Sequence, residues 1–291
     1  MRIKVWLLIA FILIIIAICI WWYTPSKNSY TYANSVASKW KTAEDAFQGL
    51  YHTHPFVKMS AVEYLIAHPS EHSIQPMLKF IREKVRWIND VDINPSSFSD
   101  ILISIGPPAI PFILEELKQT HDAPVLEVLS RALSGITCLP YSSHGIYSSA
   151  EAENALISYW LNWWEQNKNK APAYWKKEAI AKYHALLEGQ SLTAIDGLWS
   201  LTKQPFGAVI VQTQPEDMPS ITEPKKWEEW INKYGEIDKW KKWIGENYDY
   251  IYWDKNMKYF VVNEEAKAKG ISVNPETGQM IPKDNNKSND K

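Results

Sequence analysis

The chain has 291 residues, 46% of them hydrophobic, with 31 Lys and Arg against 33 Asp and Glu. A formal net charge of −2 leaves no electrostatic footprint for DNA or RNA, so nucleic-acid binding is excluded as a reading. Of two cysteines, Cys19 lies in an apolar run and only Cys138 lies outside it, so the body holds no intramolecular disulfide.

Residues 1–4 are a short stub carrying Arg2 and Lys4. Residues 5–23 follow, nineteen apolar or aromatic residues from Val5 to Tyr23. A membrane-spanning helix needs roughly 20 such residues, because each rises ~1.5 Å through a core ~30 Å thick. Trp21-Trp22-Tyr23 ends the run with rings that favour the membrane–water interface. A cleaved signal peptide needs small residues at its cleavage site, and bulky aromatics stand there instead. Cys19 follows Ile18 inside the run, which is not a lipoprotein pattern. The expectation is one uncleaved transmembrane helix. Arg2 and Lys4 favour a cytoplasmic N-terminus, against Lys27, Lys39 and Lys41 on the other side, and so place the main domain outside the cytoplasm.

Residues 24–38 read as a polar spacer and 39–249 as a helical domain. Apolar periodicity predicts helices at about 58–67, 71–88, 150–167, 174–187, 190–201, 224–234 and 236–247. Between them, Gly106-Pro107-Pro108 separates Ile101, Leu102 and Ile105 from a second stripe of Ile110, Ile113, Leu114 and Leu117. Val125, Leu129, Ala132, Leu133 and Ile136 trace the next stripe. Residues 250–282 carry the one strand signal. There Tyr250-Ile251-Tyr252-Trp253 and Tyr259-Phe260-Val261-Val262 flank a turn. The tail 283–291 contains only Lys, Asn, Asp and Ser and is expected to be disordered.

An internal repeat runs through the helical part. Leu133-Ser-Gly-Ile-Thr137 recurs 65 residues on as Leu198-Trp-Ser-Leu-Thr202. A Gly-containing loop follows each copy, with Tyr141 and Gly145 in the first and Phe206-Gly207 in the second. Trp160-x-x-Trp163-Trp164 then recurs as Trp227-x-x-Trp230, at an offset of 67.

At these residues the chain resembles bacterial HEAT-repeat proteins. Ile105-Gly106-Pro107-Pro108-Ala109-Ile110-Pro111-Phe112-Ile113-Leu114 is similar to the family's Gly-x-x-Ala-Ile-Pro-x-Leu core. The Thr…Gly…Trp-x-x-Trp-Trp pattern resembles a capping element of such proteins, with Cys138 where the family has Gly. The likeness covers about 58–247. It implies HEAT-like helical hairpins stacked into an α-solenoid with a long surface for a partner. With the strand signal at 250–262, the fold expected is mainly α with a small C-terminal β-hairpin.

Fifteen Trp are the main compositional oddity, most of them between Trp160 and Trp253. Trp227, Trp230, Ile231 and Tyr234 lie on one helical face, opposite Glu228, Glu229, Asn232 and Lys233, which is a core-facing pattern. Trp164 and Trp243 lie beside the main stripes and are the candidate surface-binding aromatics. His52-Thr53-His54 and His68…His72 lack the further ligands a zinc site needs, and Ser70 reads better as a helix cap. Asp90, Asp92 and Asn94 have calcium-loop spacing, but Pro95 and Ile101 stand where the loop needs Gly and Glu. The acid pairs Glu115-Glu116, Glu228-Glu229 and Glu264-Glu265 read as solvated helix surface. No catalytic, cofactor or metal-binding residue is assigned, and no small-molecule cofactor is expected.

The function expected is a single-pass, membrane-anchored adaptor or scaffold for an envelope protein partner. The competing expectations are a cell-wall or glycan-binding module that uses exposed Trp and Tyr, and an envelope enzyme of unrecognised type.

Overall fold

The computed structural model describes residues 30–85, 96–140, 149–189, 191–206, 219 and 224–282. The apolar run 5–23, the tail 283–291, Asp90, Asp92, Asn94, Tyr141, Gly145 and Gly207 lie outside the described residues. The described chain is mainly helical, with one two-stranded antiparallel sheet, and divides into unit 1, to Ala132, and unit 2, from Leu133.

Unit 1 opens with α1 (Tyr30–Ala37), a helix inside the stretch expected to be spacer. Its sequence is poor in strong helix formers. Packing makes it a helix: Ala33 is fully buried and α1 lies on α3 (Pro55–Ala67). Before α2 (Ala43–Leu50), a capping box closes the first turn. Thr42 Oγ1 accepts from Asp45 N–H at 3.3 Å, and the Asp45 carboxylate accepts from the N–H of Thr42 at 3.1 Å and of Lys41 at 2.9 Å. Those backbone donors hold the Asp45 carboxyl below the usual range.

Pro55 starts α3, where its missing N–H costs least. Ser70 does cap, accepting from His72 N–H at 3.3 Å, but the turn it opens is 3₁₀ (Glu71–Ser73) and leads into α4 (Ile74–Lys84). On α4, Ile74, Met77, Leu78 and Ile81 form one buried stripe. Phe80 joins it, edge-on to Tyr51 and tilted against Phe98 of α5 (Ser96–Ile105), each at 5.1 Å.

Gly106 (φ +82°) breaks the chain after α5, where only glycine turns without strain. Pro107–Ala109 form a 3₁₀ turn, and α6 (Ile110–Gln119) buries Ile110, Ile113, Leu114 and Leu117 as the periodicity predicts. One expectation fails there. Glu115 is solvated and pairs with Lys118 at 3.1 Å, but Glu116 is buried and faces Arg82 at 3.4 Å. The α4 basic residue lies over that position, which a single-helix view does not reveal. Next, α7 (Ala123–Thr137) runs from unit 1 into unit 2.

Unit 2 holds α8 (Ala150–Asn167), α9 (Pro172–Leu186), α10 (Leu192–Thr202), α11 (Pro224–Gly235) and α12 (Ile237–Asn247). Ser149 caps α8 by accepting from Ala152 N–H at 3.3 Å. α9 packs on α10 so closely that a Cβ at Gly197 would lie 2.3 Å from the Tyr183 ring. β1 (Ile251–Asp254) and β2 (Tyr259–Val262) pair antiparallel, Ile251 opposite Val262 and Trp253 opposite Phe260. Their turn is fixed by Asp254 Oδ1, which accepts from the N–H of Asn256 at 2.8 Å and Met257 at 3.0 Å. After α13 (Glu264–Lys269), the chain returns to the outer edge of β1, where Trp253 N–H donates to the Pro275 carbonyl at 2.8 Å.

Among the described residues no single helix is long and apolar enough to cross a membrane. The pair Ser97–Ile105 and Pro107–Gln119 passes only if joined. It bends by 107°, and Ile101, Leu102, Ile113 and Leu117 are spent in the core.

Candidate functional site

The repeat is visible as a hydrogen-bonding device. At the end of α7, Thr137 Oγ1 donates to the Leu133 carbonyl at 2.7 Å and accepts from Leu139 N–H at 3.3 Å. At the end of α10, Thr202 Oγ1 donates to the Leu198 carbonyl at 2.8 Å and accepts from Gln204 N–H at 3.4 Å. Both threonines are buried, and each is followed by a residue in left-handed conformation, Cys138 (φ 61°) and Lys203 (φ 53°). In each, the hydroxyl donates back to the carbonyl four residues earlier, which already accepts the last helical N–H, and accepts from an amide just past the helix end. The same local chemistry therefore turns the chain at the same point in both copies.

The tryptophan helices pair differently from the expected match with Trp227. Asn167 Nδ2 donates to the Trp163 carbonyl at 2.8 Å, and Asn247 Nδ2 donates to the Trp243 carbonyl at 2.7 Å. Both asparagines are buried. The equivalent of Trp160-x-x-Trp163-x-x-x-Asn167 is thus Trp240-x-x-Trp243-x-x-x-Asn247, at an offset of 80. Trp240 is fully buried and meets Phe206 edge-on at 5.4 Å, so the loop aromatic of the second copy packs on it. Asn167 does more: its carbonyl accepts from Trp175 Nε1–H at 3.0 Å.

Trp164 and Trp243, the predicted surface aromatics, are both half-buried. Trp164 lies edge-on to Trp175 at 6.0 Å, and Trp243 lies edge-on to Trp240 at 6.5 Å. They lie on the two asparagine-closed helices at different points, Trp243 corresponding to Trp163 and Trp164 to Ile244, and in separate clusters. Trp230 and Ile231 are buried on the α11 stripe, with Asn232 and Lys233 on its solvent side, as their spacing predicts. Of the histidines, His54 is buried with neither ring nitrogen hydrogen-bonded, among the rings of Tyr32, His52 and Phe56. Among the described residues no group of three or more His, Cys, Asp or Glu could hold a metal ion.

Two features were not singled out from sequence. The first is a set of perturbed groups in unit 2. Burial pushes the Cys138 thiol up, with Lys176 partly opposing, and pushes the Tyr183 phenol up strongly. Burial also lowers the ammonium of Lys176 and of Lys177. Lys176 Nζ lies 3.5 Å from the centre of the Trp253 ring and Lys177 Nζ 4.9 Å from that of Tyr248. Both cations face aromatic rings, and the Asp249 carboxylate also partly opposes the lowering at Lys177. A thiol whose pKa is raised is a poor nucleophile at neutral pH, so the set is built for packing more than for attack.

The second is an open groove of about 490 Å³. Leu187 and Ile237 give it an apolar part. Glu188, Glu236, Asp238, Lys239, Lys241 and Asn232 surround them. Lys241 binds Glu188 at 2.7 Å and Lys239 binds Glu236, so both signs of charge line it. Periodicity could not find this groove, because its wall is assembled from the end of α9 and the junction of α11 with α12. Comparison with protein-family models, with curated proteins and with solved structures finds no match for this chain.

Proposed function

We propose that the protein is a membrane-tethered helical scaffold whose body recognises an envelope protein partner. The reading combines the apolar run 5–23, as the tether, with a HEAT-like body of stacked helical pairs. The observation that carries it is the recurrence of two helix-end devices, Thr137 and Thr202 at an offset of 65 and Asn167 and Asn247 at an offset of 80. Using one local solution twice is how repeat architectures are built, with each unit burying its faces against its neighbours. Packing of neighbours along the chain supports the same reading. In unit 1, α3 lies on α2 and on α5, and α4 lies on α5 and on α6. The large aromatic surface goes into the core, since Trp160, Trp163, Trp175, Trp230 and Trp240 are all buried. What remains outside is charged helix surface with single exposed apolar side chains such as Tyr30, Phe112 and Met257.

The test is crosslinked affinity capture of the full-length protein from native membranes, after alkaline carbonate washing. The expected result is retention in the membrane and recovery of one protein in near-stoichiometric amount. Release by carbonate would overturn the tether. Recovery of glycan without protein would replace the adaptor reading with wall binding through Trp164 or Trp243. Cleavage of the body by protease added to intact cells or spheroplasts checks that it lies outside the cytoplasm.

A further inference from the structure

The start of α1 and the start of α3 meet at one end of unit 1. Tyr30, the first residue of α1, is 51% exposed, and its ring lies 5.1 Å from Phe56, the second residue of α3. Behind them Tyr32 packs on His52 at 6.1 Å and on His54 at 5.5 Å. Of these rings Tyr30 is exposed, Tyr32, His52 and Phe56 are half-buried and His54 is buried, so the end presents one exposed ring on an aromatic base. A half-exposed Tyr on a half-buried Phe suits an interface where an apolar body and a polar tip are both satisfied.

The chain itself limits what can lie against this end. The apolar run ends at Tyr23, and Tyr30 is seven residues on. Fully extended, seven residues span at most about 25 Å. A spanning helix at 5–23 therefore holds the start of α1 within that distance of the hydrocarbon edge. The headgroup layer fills roughly the first 5–8 Å of it. Tyr23 and Tyr30 then bracket a short polar connection, Thr-Pro-Ser-Lys-Asn-Ser, whose Lys27 suits the headgroup zone.

We infer that the Tyr30–Phe56 end of unit 1 rests in the headgroup layer of the same bilayer that holds the tether. The inference rests on the membrane-tether reading and adds to it which end of the unit meets lipid. Contact there fixes how the unit is presented to a partner, which a free polar spacer would not do.

The test uses full-length protein in phosphatidylcholine nanodiscs, with Cys19 and Cys138 replaced by serine. One nitroxide label is placed on α1 by Asn34→Cys, at an exposed position one turn from Tyr30. A second is placed at the exposed Gln119→Cys on α6 as a reference. Collision of each label with a water-soluble nickel chelate and with oxygen reports its depth. We expect the α1 label to meet the chelate at least about threefold less often than the α6 label. The double substitution Tyr30→Ser, Phe56→Ser should bring the two together. Equal chelate access at both positions in the parent protein overturns the inference, provided carbonate-washed membranes still retain the chain. Release by carbonate fails the tether reading itself and takes the inference with it, so the two failures are distinct.

Discussion

Cys138 and Lys203 each sit just past a helix end with φ near +60°, a conformation that costs a non-glycine residue roughly 1–2 kcal/mol. Nothing in the backbone requires a side chain at either point. Lys203→Gly gives up an Nζ contact 3.7 Å from the Trp199 ring centre and Cys138→Gly a half-buried thiol, which offset the relief of strain. Each should therefore shift stability by no more than about 1 kcal/mol, read from the urea midpoint at unchanged m-value. Thr202→Val should lower stability by about 1 kcal/mol, because Gln204 N–H loses its hydroxyl acceptor while the Leu198 carbonyl keeps its backbone partner. A neutral Thr202→Val would show that the device is incidental. The Cys138 thiol adds a pH signature. Its pKa is raised in the folded protein, so above about pH 8.5 the unfolded chain releases that proton first and stability falls as pH rises. Lys176 and Lys177 are lowered and act in the opposite sense, so the thiol must be isolated by difference. The urea midpoint of wild type minus that of Cys138→Ser should be constant from pH 6 to 8 and decline above it. A difference that grows with pH would contradict the buried thiol.

At the scale of elements, the tightest joint described is α9 against α10, where the Tyr183 ring covers Gly197. Gly197→Ala places a methyl group inside that ring's space. It should cost about 1–3 kcal/mol despite alanine's better helix propensity. Adding Tyr183→Leu should return part of the loss, and a double-mutant cycle with a coupling above ~0.5 kcal/mol would identify the contact as the cause. Additive losses would place the strain elsewhere. Such a joint cannot be read from either helix alone, whereas much of the remaining architecture could be. Periodic apolar stripes put α8 at Ala150–Asn167 and α12 at Ile237–Asn247 within a residue of their predicted limits, and the hairpin came out of alternating aromatic and β-branched residues. Helices α1 and α2 were not predicted, because each is eight residues long and held by packing or by a capping box with Asp45 in place of Glu. The second copy of the repeat was matched to Trp227 because the nearest Trp-x-x-Trp was taken. The buried Asn seven residues after the first Trp singles out Trp240 instead. Trp164 and Trp243, which the spacing sets beside the main stripes, are half-buried through ring contacts with Trp175 and Trp240. The groove at Ile237 and the Lys176–Trp253 stack depend on distant segments, and local spacing carries no information about those.

Over the whole molecule, charge is nearly balanced and locally spent. Lys79–Glu83, Lys118–Glu115, Lys168–Glu165, Lys182–Glu178 and Lys269–Glu265 all join residues three or four apart on one helix. Exposed pairs of this kind contribute roughly 0–1 kcal/mol each and are screened by salt. With a net charge of −2 there is little overall repulsion for salt to relieve. Raising NaCl from 0.05 to 0.5 M should therefore move Tm by no more than about 2 °C. Arg82–Glu116, Lys241–Glu188 and Lys255–Glu276 instead join distant segments, and of these Arg82–Glu116, which joins α4 to α6, has one buried partner. Arg82→Met keeps the apolar stem and removes the guanidinium, leaving a buried carboxylate uncompensated. Because the Arg82 side chain is 53% exposed, the cost should be about 1–2 kcal/mol, below that of a fully buried pair. Adding Glu116→Leu should recover most of it by removing the charge left behind. A salt response above about 5 °C in wild type that disappears in Arg82→Met would overturn this, since it would make one half-exposed pair the centre of a long-range charge network. Equal, small responses in both proteins are expected if apolar burial holds the helices and surface charge only decorates them.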